Sequence, residues 1–188
     1  MKRRHPRGFA TALADEHLSR RDRRLARWIE RIGSIAPQPQ WRGRFDPVDA
    51  LARAILYQQL SGKAAATIVG RVEAAIGSQR LHCDTLARID DAALRACGVS
   101  GNKALALRDL ARREAAGEIP TVAQLPWMEE QAIIDALVPV RGIGRWTVEM
   151  MLMSRLGRPD ILPVDDLGIR KGIQVLNRLG SLPTPREA

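Results

Sequence analysis

Apolar residues recur along this 188-residue chain at intervals of three and four. Nowhere do apolar and polar residues alternate long enough to make a strand. The chain has one Tyr and two Phe, so the aromatic content that strands favour is also missing. The pattern predicts an all-α fold of roughly ten helices joined by short turns. With 45% hydrophobic residues the chain can build a core. No apolar run approaches the ~20 residues of a membrane span. The basic start is not followed by the apolar stretch of a secretory signal. Cys83 and Cys97 are too few for a disulfide framework, a four-Cys zinc site or a four-Cys iron–sulfur site. A reducing cytoplasm is the expected setting.

Helix punctuation divides the chain. Residues 1–8 read as a loose basic tail. The spacing predicts helix from Thr11, with Ser19 capping a second helix over Arg20–Ile32 and Gly33 ending it. Pro37-Gln-Pro39 and Arg42-Gly-Arg form a connector and the first lobe boundary. Asp46-Pro47 opens the next helix, with Asp as cap and Pro at the first helical position. Ser61, Asp90 or Asp91, and Ser100 or Asn102 start further helices. Another covers Trp127–Leu137, one runs from Arg145 to Leu156, and the last from Asp166 to Leu179. Thr184-Pro185-Arg186-Glu187 has the form of one more helix start. The expected organisation is a tail over 1–8, a lobe made of 9–44 plus 158–188, and a central lobe over 45–157.

Charge narrows the possible partners. Residues 1–44 hold 12 basic and 4 acidic residues, and the rest hold 18 and 17, so most of the net +9 lies near the N-terminus. Arg outnumbers Lys 26 to 4, and its forked guanidinium suits phosphate. Solvated helix faces account for the same composition equally well.

Three segments carry chemistry. In Leu137-Val-Pro-Val-Arg-Gly-Ile-Gly-Arg-Trp-Thr147 a helix end runs through Gly-Ile-Gly into a second helix. Glycines allow close backbone approach, and the following helix start offers N–H groups to an anion such as a DNA phosphate. An ordinary turn between helices has the same look. In Leu162-Pro-Val-Asp-Asp-Leu-Gly168 two carboxylates precede a helix; one can cap it, and the other needs a second explanation. In Ile55-Leu-Tyr-Gln-Gln-Leu-Ser-Gly-Lys63 polar residues interrupt an apolar helix at its end. Gln can read base edges or fill a gap in a stacked duplex, and it can equally face water at a helix terminus.

These segments, in this order, resemble the helix-hairpin-helix superfamily of DNA glycosylases, and within it the 3-methyladenine DNA glycosylase II (alkyl-base) branch. The resemblance covers roughly residues 46–180. It implies two helical lobes with the active site in the cleft between them. It also implies a monofunctional enzyme of base excision repair that hydrolyses the N-glycosidic bond of alkylated bases. Asp166 matches the catalytic aspartate, with Asp165 as backup and possible helix cap. Trp146 stands where glycosylase-lyases of the superfamily carry a Lys, so no lyase activity is expected. Trp146, Met150 and Tyr57 match the base pocket, with Met150 where an aromatic residue is often found. Gln59, with Leu60 as runner-up, matches the residue that fills the space of the extruded base, and Ser61 the minor-groove contact. Gly142, Gly144, Arg145 and Thr147 match the phosphate-binding hairpin. The carbonyls of Val138, Val140 and Ile143 match a monovalent-cation site for Na+ or K+; no other cofactor is required. The implied partner is double-stranded DNA with alkylated bases. Nothing points to a membrane or a protein partner, and a monomer is expected, in the cytoplasm and on the nucleoid if the source is bacterial. Relatives usually continue past the Thr184–Glu187 run into another helix, so the first lobe is expected to lack part of its packing. A non-catalytic DNA-binding or damage-sensing module is the alternative reading, and a lyase using another amine a weaker one.

Overall fold

The computed structural model describes residues 4–188. Those residues form helices and turns, with no strand among them. None of these helices is long and apolar enough to cross a membrane. The chain divides into two compact units, one over Phe45–Val148 and the other made of His5–Arg44 and Glu149–Ala188.

The contiguous unit holds α3 (Pro47–Tyr57), α4 (Gly62–Ile76), α5 (Cys83–Leu86), α6 (Asp91–Ala96), α7 (Gly101–Ala115), α8 (Glu130–Leu137) and the start of α9 (Arg145–Met151). Side-chain caps fix most of the helix starts. Asp46 accepts from the amides of Val48 and Asp49, Ser61 from Ala64, Asp90 from Ala93 and Ser100 from Lys103. Asp90 and Ser100 thus win over Asp91 and Asn102. The core is aliphatic: Leu51, Ile55 and Leu56 of α3 are buried with Leu81, Leu86, Leu94, Leu107, Leu110, Leu125, Ile133 and Leu137. α8 begins at Glu130, after a 3₁₀ turn over Leu125–Trp127, and so starts later than the expected Trp127.

The discontinuous unit holds α1 (Thr11–Arg21), α2 (Arg23–Ile32), the rest of α9 and α10 (Leu167–Asn177). Here the cap expected at Ser19 falls instead on Asp22. Its carboxylate accepts from the amides of Arg24 and Leu25, so α1 continues through Ser19 to Arg21. A carboxylate at a helix start also meets the positive end of the dipole, which a hydroxyl does not exploit as well. The Arg24 guanidinium and the two amides hold the Asp22 carboxyl at about 2, below the usual carboxylate range.

The final turns of α9 widen into a π-turn over Leu152–Leu156. Trp41, buried, donates from Nε1 to the Met153 carbonyl at 2.9 Å, and Phe9 stacks on Trp41 with ring centroids 4.9 Å apart. The Gly8 amide donates to the Leu156 carbonyl at 2.8 Å. Arg7 donates to the carbonyls of Gln40, Gly43 and Arg155. Residues 5–8 are therefore tied down, not a loose tail; residues 1–3 of the expected tail lie outside the described residues. These ties also place the division between units inside α9, at Val148–Glu149, where the sequence reading put it after Gly157. No side chain of α2 or α10 is fully buried, and Trp28, Val175 and Leu179 are exposed. The Thr184 amide donates to the Glu187 carboxylate, one half of a capping box, and the Thr184 hydroxyl donates to the same oxygen.

Candidate functional site

The hairpin lies in the contiguous unit. α8 ends at Leu137, and the chain turns through Val138–Gly144 into α9. Gly142 has φ +77, a left-handed conformation that side chains resist. Ile143 is buried and its amide donates to the Val140 carbonyl at 3.0 Å, so it pins the turn to the core as an apolar peg. The Gly144 carbonyl accepts from Thr147 at 3.0 Å and Val148 at 3.3 Å, which makes Gly144 the first residue of the α9 start. The first turn of a helix presents amide N–H groups that suit an anion.

Asp109 of α7 supports the hairpin from below. Its carboxylate accepts from the Arg141 amide at 2.9 Å and pairs with Arg112 and Arg113. Burial pushes this carboxyl up, but the Arg141 amide and the two guanidinium groups outweigh burial and hold it at about 2.

The turn between α3 and α4 sits beside the hairpin. The Gln58 side-chain amide donates to the Gly142 carbonyl at 2.7 Å. Gln59 has φ +56, a left-handed backbone for a residue with a side chain, which costs about 1–2 kcal/mol. Leu60 closes the turn with its amide on the Tyr57 carbonyl, and Gln59 and Leu60 are both exposed. Ser61, the implied minor-groove contact, uses its hydroxyl to cap α4. From the opposite side the Lys103 ammonium donates to the carbonyls of Leu56 and Gln58, both at 2.8 Å. Tyr57 and Trp146 are 43% and 45% exposed, as side chains that could meet a base must be. Met150 is half-buried one turn beyond Trp146 on α9.

Asp165 and Asp166 lie in the other unit, before α10. Asp166 is the cap: its Oδ1 accepts from the Ile169 amide at 3.0 Å, and Asp165 is exposed. The cap role allowed to Asp165 therefore belongs to Asp166. One carboxylate is both the cap and the match to the catalytic residue. A Cβ at position 168 would lie 2.9 Å from Asp166 Oδ1, so Gly168 leaves the carboxylate its room.

The carbonyls of Val138, Val140 and Ile143 are neutral oxygen donors clustered within six residues of one turn. Val140's carbonyl already accepts from Ile143 and keeps its second lone pair. Such a donor set fits a hard cation.

Sequence reasoning missed Lys103 and Asp109. Lys103 carried one faint signal, a Lys in a chain with 26 Arg and 4 Lys. Asp109 carried none, because its role depends on α7 passing beneath the hairpin. The buried charges Glu149 and Arg158, both partnered, were also not singled out.

A helical hairpin whose second helix opens on Gly-Ile-Gly, with a strained polar turn tied to it, has the form of a helix-hairpin-helix protein. The chain belongs to the HhH-GPD superfamily of base excision DNA repair proteins, whose model matches residues 52–188. It is 35% identical over 172 residues to DNA-3-methyladenine glycosylase 1 of Schizosaccharomyces pombe, spanning 91% of this chain and 75% of that protein. It is similar to the crystal structure of a DNA-3-methyladenine glycosidase from Bacillus halodurans, with a TM-score of 0.78, 35% identity, and coverage of 88% of this chain and 74% of that one. It is also similar to the Schizosaccharomyces pombe 3-methyladenine DNA glycosylase (Mag1) in complex with abasic DNA, with a TM-score of 0.75, 35% identity, and coverage of 92% and 84%.

Proposed function

We propose that this chain is a monofunctional DNA glycosylase that excises alkylated bases of the 3-methyladenine type from double-stranded DNA. The observation that carries the reading is the hydrogen bond from Gln58 to Gly142, which fastens the exposed Gln59–Leu60 turn to the phosphate-binding hairpin. An enzyme that works on a base in a duplex must grip the backbone beside the lesion and fill the space the base leaves. Gly142, Gly144, Arg145 and Thr147 supply the grip. Gln59, with Leu60, supplies the filler. Ser61 serves this turn by capping α4.

The reaction breaks the bond between the sugar C1′ and the base nitrogen. Water attacks C1′ and gives up one proton to solvent, and the base departs with the bonding electron pair. An alkylated purine carrying positive charge leaves as a neutral molecule, so the enzyme need not protonate it. Positive charge develops on the sugar in the transition state, and the Asp166 carboxylate stabilises it and orients the water. Its cap bond to Ile169 fixes the carboxylate before substrate arrives. Trp146, Tyr57 and Met150 form the apolar, π-rich wall for the base, since an indole face attracts an electron-poor ring. Trp146 cannot form a Schiff base, so the product is an abasic site with an unbroken strand. The Val138, Val140 and Ile143 carbonyls would hold a monovalent cation, which would supply positive charge beside the phosphate. The protein works as a monomer, in the cell compartment that holds the DNA.

Base release from methylated DNA, resolved by chromatography, tests the reading with wild type beside Asp166→Asn and Asp165→Asn. Asn caps a helix about as well as Asp, so Asp166→Asn removes the charge and leaves the fold. Wild type and Asp165→Asn should release 3-methyladenine, and Asp166→Asn should bind abasic DNA without release. No release by wild type, with binding intact, would overturn catalysis in favour of a damage-binding module.

A further inference from the structure

We infer that Lys103 is a positioning residue for base extrusion: its ammonium, held between the carbonyls of Leu56 and Gln58, sets the turn that inserts Gln59 and Leu60 into DNA. The inference rests on the glycosylase reading above and deepens it. Lys103 stands in the first turn of α7, and its ammonium donates to the main chain of the turn. Those two carbonyls bracket the end of α3, the negative end of the helix dipole, where a cation is favoured. The next residue, Gln59, is held with φ +56, and a conformation of that kind persists only when its surroundings over-determine it. Three bonds do so: two from Lys103 on one side, and one from Gln58 to Gly142 on the other. Partial burial pushes the Lys103 pKa down, and the two carbonyls take the place of water around its ammonium. The other lysines at 63 and 171 are exposed and make no such bond.

A turn held rigid matters only when the base must be forced out of the helix. Extrusion costs least for a base that is already unpaired. The test therefore compares single-turnover release by wild type and Lys103→Met on two DNAs. One carries the alkylated purine fully paired, and the other carries it unpaired in a single-nucleotide bulge. The expected result is a loss of about tenfold or more on paired DNA and of about threefold or less on the bulge, with the melting temperature held. Lys103→Arg, which keeps a cation with N–H donors, should recover most of the paired-DNA rate. An equal loss on both DNAs overturns the inference and leaves the glycosylase reading standing. Release by neither protein overturns the glycosylase reading, and the inference falls with it. If Lys103→Met folds poorly, Lys103→Gln, which keeps a donor without the charge, carries the same comparison with the same two outcomes.

Discussion

Asp109 shows how far a single carboxylate can reach. It accepts from the Arg141 amide and two guanidinium groups, and so joins α7 to the hairpin. Its pKa of about 2 lies below the ordinary carboxylate value of about 4. A carboxyl lowered on folding stabilises fully above the ordinary value, and its contribution is lost as pH falls through that value towards 2. Thermal unfolding followed between about pH 5 and 2 should therefore show a steeper loss for wild type than for Asp109→Asn. At neutral pH Asp109→Asn should be the less stable protein, with faster amide exchange at Arg141 and Ile143. The sequence revealed residues whose work is local. Asp46, Ser61 and Gly142 act within a few positions of themselves, and their types announce it. Asp109 and Lys103 act on partners 32 and 47 or fewer positions away, and only the fold supplies those partners. Asp166 was legible as a carboxylate at a helix start, but not as the one of the pair that caps.

At the scale of elements, capping residues marked helix starts well because each cap completes a local requirement for hydrogen bonds. Ser19 failed because Asp22, three residues on, meets that requirement with charge as well. The end of α9 could not be foreseen, since its π-turn depends on Trp41 and Gly8, more than a hundred residues earlier. Gly157 ends that turn with φ +61. A Cβ there would stand 2.5 Å from the Gly8 Cα and 2.8 Å from the Trp41 ring, and neither backbone nor indole can yield. Gly157→Ala should cost roughly 2–4 kcal/mol, read by denaturant unfolding, from overpacking and left-handed strain together. Gly144→Ala meets no atom within 4 Å and should cost much less, so the pair separates contact from a general intolerance of substitution.

Across the whole molecule, the net charge of +9 and its bias towards the first 44 residues favour DNA through counterion release. Affinity for undamaged duplex should fall steeply with salt. Arg145→Ala should reduce the slope of log affinity against log salt by about one, as the loss of one phosphate contact does. A titration of labelled duplex at several salt concentrations checks this. Composition alone could not tell a phosphate-binding surface from solvated helix faces. The match to the superfamily of base excision DNA repair proteins is what favours DNA as the partner of this charge.

The division of the chain has a consequence for its birth on the ribosome. One unit is an unbroken run from Phe45 to Val148, while the other joins the first stretch of chain to the last. Residues 8 and 41 cannot find Met153, Leu156 and Gly157 until the whole run from Phe45 to Val148 has been made. Trp41, buried in the finished fold, therefore stays in water until the end of α9 has been made. The run from Phe45 to Val148 is free to settle as soon as it is complete, and the contacts of the other unit then close a loop of more than a hundred residues.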